Sequence, residues 1–345
     1  MREDKSWSFC HDLNATVWAT LLTTDGGILM TTYHEQLTKC IDQIETVIVG
    51  KRDMIMMSLT SLLSGGHLLI EDVPGVGKTM LVRALAKTLG CDFSRIQFTP
   101  DLLPSDVLGV SIYQPKTGEF SYMKGPVMSH IVLADEINRT SPKTQAALLE
   151  AMEEHSVTID GKTMPIDEPF FVMATQNPVE YEGTYPLPEA QLDRFLMKVN
   201  MGYPTFDEEL LLLSMNETNQ PIDQLRAILS QADVLNIRKE VDTVHVSDLI
   251  KRYILELVRA TRKTDQVALG VSPRGGINLL KATKAYAYLM GRDYVIPDDV
   301  ITLVPAVFCH RMLLTDEAMY QQIAVEQIIT DILSQVDIPV EDDRI

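Results

Sequence analysis

One stretch constrains this chain more than any other: Glu71-Asp-Val-Pro-Gly-Val-Gly-Lys-Thr79, directly after the apolar run His67-Leu-Leu-Ile70. The apolar run predicts a strand that delivers the chain out of a sheet. Pro74, Gly75 and Gly77 let the backbone turn tightly and approach a ligand with no Cβ in the way. Met80-Leu-Val-Arg-Ala-Leu-Ala-Lys-Thr-Leu89 has helical periodicity, so the loop opens a helix whose free amides and dipole favour an anion. Lys78 is long enough to reach the β- and γ-phosphates of a nucleotide, and the Thr79 hydroxyl suits Mg²⁺. The cradle therefore runs through Pro74, Gly75, Val76, Gly77, Lys78, Thr79 and Met80. One position departs from G-x-x-x-x-G-K-[ST]: Asp72 stands at the first glycine.

A turn with a chance Gly-Lys-Thr would explain the loop alone. It does not explain Ile131-Val-Leu-Ala-Asp-Glu-Ile137, an apolar strand ending in two carboxylates. Paired carboxylates at a strand tip are costly unless a metal or a polar site compensates them. Asp135 is placed to hold Mg²⁺ and Glu136 to polarise an attacking water. ATP and Mg²⁺ are the expected cofactors, with hydrolysis as the expected chemistry.

Composition narrows the class. A hydrophobic fraction of 46% and a charged fraction of 23% over 345 residues fit a soluble globular chain of more than one domain. The net charge of −18 argues against general nucleic-acid binding, which needs a surplus of Lys and Arg. Cys10, Cys40, Cys91 and Cys309 are scattered without C-x-x-C, so neither a disulfide framework nor a zinc site is expected. No run is long enough to span a bilayer and no secretory signal opens the chain, so the expected location is the cytoplasm.

Residues 1–29 lack periodicity and read either as a poorly ordered extension or as a segment preceding a natural start at Met30. A helix is expected from Thr31 to Ile44 and another from Met54 to Leu63. Between them, Val47-Ile-Val-Gly50 is either a strand-to-helix connection or an apolar turn in which Val49 and Gly50 contact an adenine base. After a strand at 93–98, Ser105 or Asp106 resembles a helix N-cap. Alternating runs at 110–113 and 120–123 predict a hairpin, and Asp160-Gly161 predicts a second one. Ser141-Pro142 begins a strong helix, and 170–175 is a buried strand ending at Gln176-Asn177-Pro178. From Pro204 helical periodicity dominates with no further strong strand. The expected division is an α/β core over 30–204, a linker over 205–240 and a helical domain over 241–345.

Three further residues are candidates on position. Asn177 either orients the attacking water or forms a turn before Pro178. Arg194 either serves a neighbour's γ-phosphate or pairs with Asp193 or Glu189. Arg274, at the head of a helix in Ser272-Pro-Arg-Gly-Gly276, could reach the phosphates from the second domain. The hairpins are either structural edges or mobile loops lining a pore.

Taken together, residues 47–311 resemble the MoxR family of AAA+ ATPases. The matching residues are Val-Pro-Gly-Val-Gly-Lys-Thr at 73–79, the run from Leu133 through Glu154, Met-Ala-Thr-Gln-Asn-Pro at 173–178, the run from Glu182 through Phe195, Ser-Pro-Arg at 272–274 and His-Arg at 310–311. The resemblance implies a P-loop core of parallel strands flanked by helices with hairpin inserts, and a C-terminal all-α lid. It implies a ring, usually a hexamer, with ATP at subunit interfaces. Asn177 would then be the sensor-one residue, Arg194 the arginine finger acting in trans, and Arg274 the sensor-two residue on its own subunit's nucleotide. It further implies a chaperone-like task, remodelling or activating a client, often by metal or cofactor insertion, with a partner bearing a von Willebrand factor A domain. The same hairpin-bearing architecture resembles helicase and magnesium-chelatase ATPase subunits, so a nucleic-acid motor or chelatase subunit is the alternative.

Overall fold

A computed structural model describes residues 33–72, 75–177, 184–216 and 221–339. Pro74, Pro178 and the 1–29 extension lie outside the described residues. Two helices, α1 (His34–Glu45) and α2 (Arg52–Leu63), precede the central sheet. Between them, 46–50 is a turn rather than the strand that its apolar residues allow.

The sheet has five strands: β1 (Leu68–Glu71), β2 (Phe93–Gln97), β5 (Ile131–Asp135), β8 (Phe171–Gln176) and β9 (Met197–Val199). Their spatial order is β2-β5-β8-β1-β9 and every pairing is parallel. Parallel strands are covered on both faces, and the core strands are accordingly apolar at successive positions. Side chains alternate between two apolar clusters. Leu68, Ile70, Leu133 and Met173 enter one, and Leu69, Val132, Ala134 and Val172 enter the other.

Connections in chain order are α3 (Lys78–Thr88), α4 (Pro104–Leu108), the hairpin β3 (Gly109–Gln114) and β4 (Glu119–Lys124), α5 (Pro142–Glu154), the hairpin β6 (Ser156–Ile159) and β7 (Lys162–Pro165), and the short α6 (Glu189–Leu192). Both expected hairpins form. The second turns on Asp160 and Gly161, each with positive φ (51° and 74°), as a two-residue turn with matching twist requires. The first exposes Ile112, Tyr113, Phe120 and Met123, with Phe120 69% exposed. Ser141 caps α5 by accepting from the Thr144 amide at 3.4 Å. The expected cap of α4 is corrected: Leu103 holds the cap position, and Asp106 accepts its amide at 2.9 Å from the third helical position.

Beyond β9 the chain forms α7 (Phe206–Asn216), α8 (Gln231–Thr243), α9 (Asp248–Thr261), α10 (Pro273–Leu289), α11 (Pro297–Phe308), α12 (Asp316–Tyr320) and α13 (Val325–Gln335). The 205–240 stretch expected as a linker thus contains α7 and most of α8. A short antiparallel pair, β10 (Val267–Leu269) and β11 (Leu313–Leu314), also lies where only helices were expected. These strands are three and two residues long, too short for periodicity to register. Leu257, Leu279 and Val300 of the helical region share one continuous apolar cluster with Leu81 and Leu85 of α3. Among the described residues, no helix is long and apolar enough to cross a membrane.

Candidate nucleotide-binding site

At the carboxyl edge of the sheet, β1 leads into the phosphate loop and α3 begins at Lys78. Gly77 precedes it with φ +97°, a conformation that glycine adopts without strain. Lys78 Nζ donates to the Asp72 carbonyl at 2.9 Å. Burial pulls the Lys78 ammonium below its ordinary pKa, outweighing the attraction of Asp72, Asp135 and Glu136. Val76 is buried, Thr79 and Met80 are half-buried, and Gly75 is exposed.

Asp135 and Glu136 end β5, and Thr175 of β8 organises them. The Thr175 hydroxyl donates to Asp135 Oδ1 at 2.6 Å and accepts from the Glu136 amide at 2.8 Å. Sequence reading missed Thr175. Its only signal was a polar residue inside an otherwise apolar strand, one pairing step from the Asp-Glu tip. Arg95 donates to Asp135 Oδ2 at 2.6 Å, Gln97 to Glu136 Oε2 at 2.8 Å, and Arg139 approaches Glu136 Oε2 at 3.3 Å. Glu136 has φ +58° and ψ +50°, left-handed backbone that costs a non-glycine residue about 1–2 kcal/mol. Backbone of that kind is held by its surroundings, here by the Thr175 bond. Asn177 follows β8 directly and is buried, and its carbonyl accepts from Asn138 Nδ2 at 3.3 Å.

The donor set fits Mg²⁺. Thr79 offers a hydroxyl and Asp135 a carboxylate, hard oxygens of the kind Mg²⁺ takes beside phosphate oxygens. Val49 and Gly50 lie on the flank. Gly50 has φ +69°, a conformation that favours glycine, and the Glu208 carboxylate lies over it. Lys51 Nζ donates to the Tyr203 carbonyl at 3.1 Å. The 46–51 turn therefore meets residues 203–208, which carry the chain from β9 into α7.

Arg194 and Arg274 stand elsewhere. Arg194 precedes β9, so it sits at the amino edge of a sheet whose phosphate loop leaves the carboxyl edge. Its Nε donates to Glu153 Oε2 at 2.7 Å, and Arg274 donates to Glu153 Oε1 at 3.2 Å. Glu153 is at the end of α5, beside Met152, whose carbonyl meets His67 Nε2 at 3.1 Å directly before β1. Arg274, expected on its own subunit's nucleotide, meets Glu153 in this chain. Between the edge where Glu153 lies and the start of the phosphate loop runs β1, roughly 13 Å at the rise of a parallel strand. The expected pairing of Arg194 with Asp193 or Glu189 gives way to Glu153.

Arg311 completes the cluster from the helical region. Its side chain is 2% exposed and donates to Asp193 Oδ1 at 2.7 Å, to the Phe195 carbonyl at 2.5 Å and to the Leu196 carbonyl at 3.2 Å. It thereby fixes the segment that carries Arg194. Asp193 also lies 4.0 Å from Arg274. Hydrogen bonding from Arg194 holds the Glu153 carboxyl below its ordinary pKa, with Arg274 adding to the effect. His67, fully buried, is held neutral with its pKa lowered to about 4 by burial, and its Nδ1 accepts from the Val172 amide at 3.0 Å.

Comparison with known proteins follows the same outline. A family model described as "ATPase family associated with various cellular activities (AAA)" matches residues 67–197, and one described as "AAA lid domain" matches residues 259–332. The chain is 44% identical over 312 residues to chaperone MoxR1 of Mycobacterium tuberculosis, covering 88% of this chain and 82% of that protein. It is 61% identical over 308 residues to the uncharacterized protein YeaC of Bacillus subtilis, covering 89% and 96%. A crystal structure of a candidate ATPase from Cytophaga hutchinsonii superposes with a TM-score of 0.84 at 43% identity, covering 95% of this chain and 99% of that one.

Proposed function

The chain belongs to the MoxR family of AAA+ ATPases, and on that premise we propose that it hydrolyses ATP between two copies of itself in a ring, using the cycle to remodel or activate a client protein. The observation that carries this reading is the separation of Lys78 from Arg194 and Arg274 by the length of the sheet. In this chain both arginines pair with Glu153, at the edge opposite their own phosphate loop. Each can serve the loop of a neighbour that presents its carboxyl edge to this amino edge.

In that arrangement Lys78 and the amides of 75–80 hold the phosphates. Glu136, held in left-handed backbone by Thr175, accepts the proton of the attacking water, and Asn177 orients that water. Thr79 and Asp135 would hold Mg²⁺, which when bound neutralises charge on the phosphate oxygens. The neighbour's Arg194 and Arg274 exchange Glu153 for the γ-phosphate and stabilise the charge that builds up in the transition state. A protein client is supported by the apolar hairpin β3–β4, with Phe120 and Tyr113 exposed, and by the chaperone name of the Mycobacterium relative. A nucleic-acid motor would present a basic hairpin, whereas this chain carries a net charge of −18. The hexamer, the von Willebrand A-domain partner and metal or cofactor insertion rest on family resemblance.

Mixing inactive variants tests the reading. Lys78→Ala lacks a working loop and Arg194→Ala lacks a working finger, so each alone is expected to be inactive. Combined, an intact loop meets an intact finger at about a quarter of randomly assorted interfaces, and turnover reappears. Full activity of Arg194→Ala alone, or no recovery on mixing, would remove the reading.

A further inference from the structure

Asp72 stands where the general phosphate loop has glycine, and the fold gives its carboxylate a task for which glycine has no atoms. The residue is buried, and Oδ2 accepts from the Met201 amide at 2.8 Å and the Gly202 amide at 2.6 Å. Two amides on one carboxylate oxygen are charge-assisted bonds, stronger than neutral ones. They fasten the chain at the point where it leaves β9 for α7. The main-chain carbonyl of Asp72 is in turn the acceptor for Lys78 Nζ at 2.9 Å. One residue therefore holds the phosphate-binding lysine by its backbone and the exit from the sheet by its side chain. Those contacts also explain an acidic residue in an anion-binding loop, because the amides and the nearby Lys78 offset its charge.

The segment it fastens forms a strap along the site. Met201 Cε lies 3.7 Å from where a Cβ on Gly77 would stand, against the phosphate loop itself. Lys51 holds the other end through the Tyr203 carbonyl, and the Glu208 side chain lies against Gly50. Beyond the strap, α7 stands nearly clear of the body, with Phe206 80% and Leu213 71% exposed. From 206 to 214 no residue of α7 is buried, and the strap is its covalent link to the sheet.

We propose that Asp72 is a positioning residue that couples occupancy of the phosphate loop to the strap 200–208, and through the strap to α7. The proposal rests on nucleotide binding at Lys78, as argued above. When Lys78 turns from the Asp72 carbonyl to a phosphate, the Asp72 peptide loses one of its tethers, and its carboxylate carries that change to Met201 and Gly202. Glycine at 72 would leave the loop able to bind phosphate and the two amides without their carboxylate.

The test compares full-length wild type, Asp72→Gly and Asp72→Asn by hydrogen–deuterium exchange over 200–216, with and without ADP, beside fluorescent-ADP affinity. Wild type is expected to bind ADP and to change its exchange over 200–208 on binding. In Asp72→Gly, affinity stays within about threefold while strap amides in the free protein exchange about tenfold faster or more, and ADP no longer alters them. Asp72→Asn keeps an acceptor oxygen without the charge and falls between, and it carries the test if the glycine variant does not melt cooperatively. An ADP response in the variants equal to wild type overturns the coupling. Loss of ADP affinity with unchanged strap exchange also overturns it, because Asp72 would then serve the phosphates. Wild type that binds no nucleotide would overturn the functional reading as well, whereas the first two outcomes leave that reading standing.

Discussion

The two edges of one sheet carry opposite equipment. The carboxyl edge holds a lysine, two carboxylates, a threonine and an asparagine within a few residues of strand ends. The amino edge holds three arginines around two carboxylates, Glu153 and Asp193. A parallel sheet makes this division, because every strand points the same way and each edge collects only strand starts or strand ends. The carboxyl edge thus gathers groups able to position phosphate and water. The amino edge gathers three guanidinium groups against two carboxylates. On the proposed reading the contrast divides the site into two halves, and Arg311 fastens the segment carrying Arg194 from the helical region.

If the two halves act on one phosphate, removing either should cost turnover far more than nucleotide affinity. Arg194→Ala is expected to lower kcat by about 10³-fold or more, and Glu136→Gln by about 10²–10⁴-fold, with ADP affinity nearly unchanged in both. Steady-state ATPase assays beside ADP titration would check this. An Arg194→Ala loss that appears mainly in affinity would break the comparison.

A second prediction separates the edges by acid. His67 packs against the end of α5 beneath the arginine cluster and must stay neutral there. Its folded pKa of about 4 lies below the unfolded value near 6.5, so the unfolded chain takes up the proton first as pH falls. The stabilisation is fully present above pH 6.5 and is lost toward pH 4, a change on the order of 3 kcal/mol. Buried His310, likewise held neutral by burial, adds to the same slope. Thermal unfolding between pH 7 and 4.5 should fall steeply in wild type and less so in His67→Gln. Parallel curves would refute the assignment.

The smallest expected effect is at Glu153. Glu153→Gln removes the charge that both arginines share in the isolated chain. These pairs are partly exposed, so the stability change should stay within about 1 kcal/mol. Turnover should hold or rise, because the arginines are released earlier to a neighbour. A loss of turnover comparable to Arg194→Ala would instead make Glu153 part of the catalytic geometry.

Much of the carboxyl edge was legible in advance because its parts are local. Gly75, Gly77, Lys78 and Thr79 are neighbours in sequence, and Asp135-Glu136 ends a single apolar run. The hairpins were readable for the same reason, since Asp160-Gly161 states its turn within two residues. Thr175, Asp72's partners and Arg311's role were not legible. Thr175 meets Asp135 across 40 residues, Asp72 meets Met201 across 129, and Arg311 meets Asp193 across 118. No local period encodes such pairings. Arg274 illustrates this, since its position at a helix head was clear while its pairing with Glu153, 121 residues away, was not.

By itself, then, the sequence determined a phosphate loop, a strand-tip acid pair, two hairpin inserts and a helical second half, because glycine freedom, strand runs and helical periodicity act within a few residues. Tertiary structure alone decided that Asp72 holds the strap, that Thr175 aims the acids, and that Arg194 and Arg274 share Glu153 at the far edge. Those outcomes depend on strand order and on how the helical region docks on the sheet, and burial of one continuous apolar cluster fixes both.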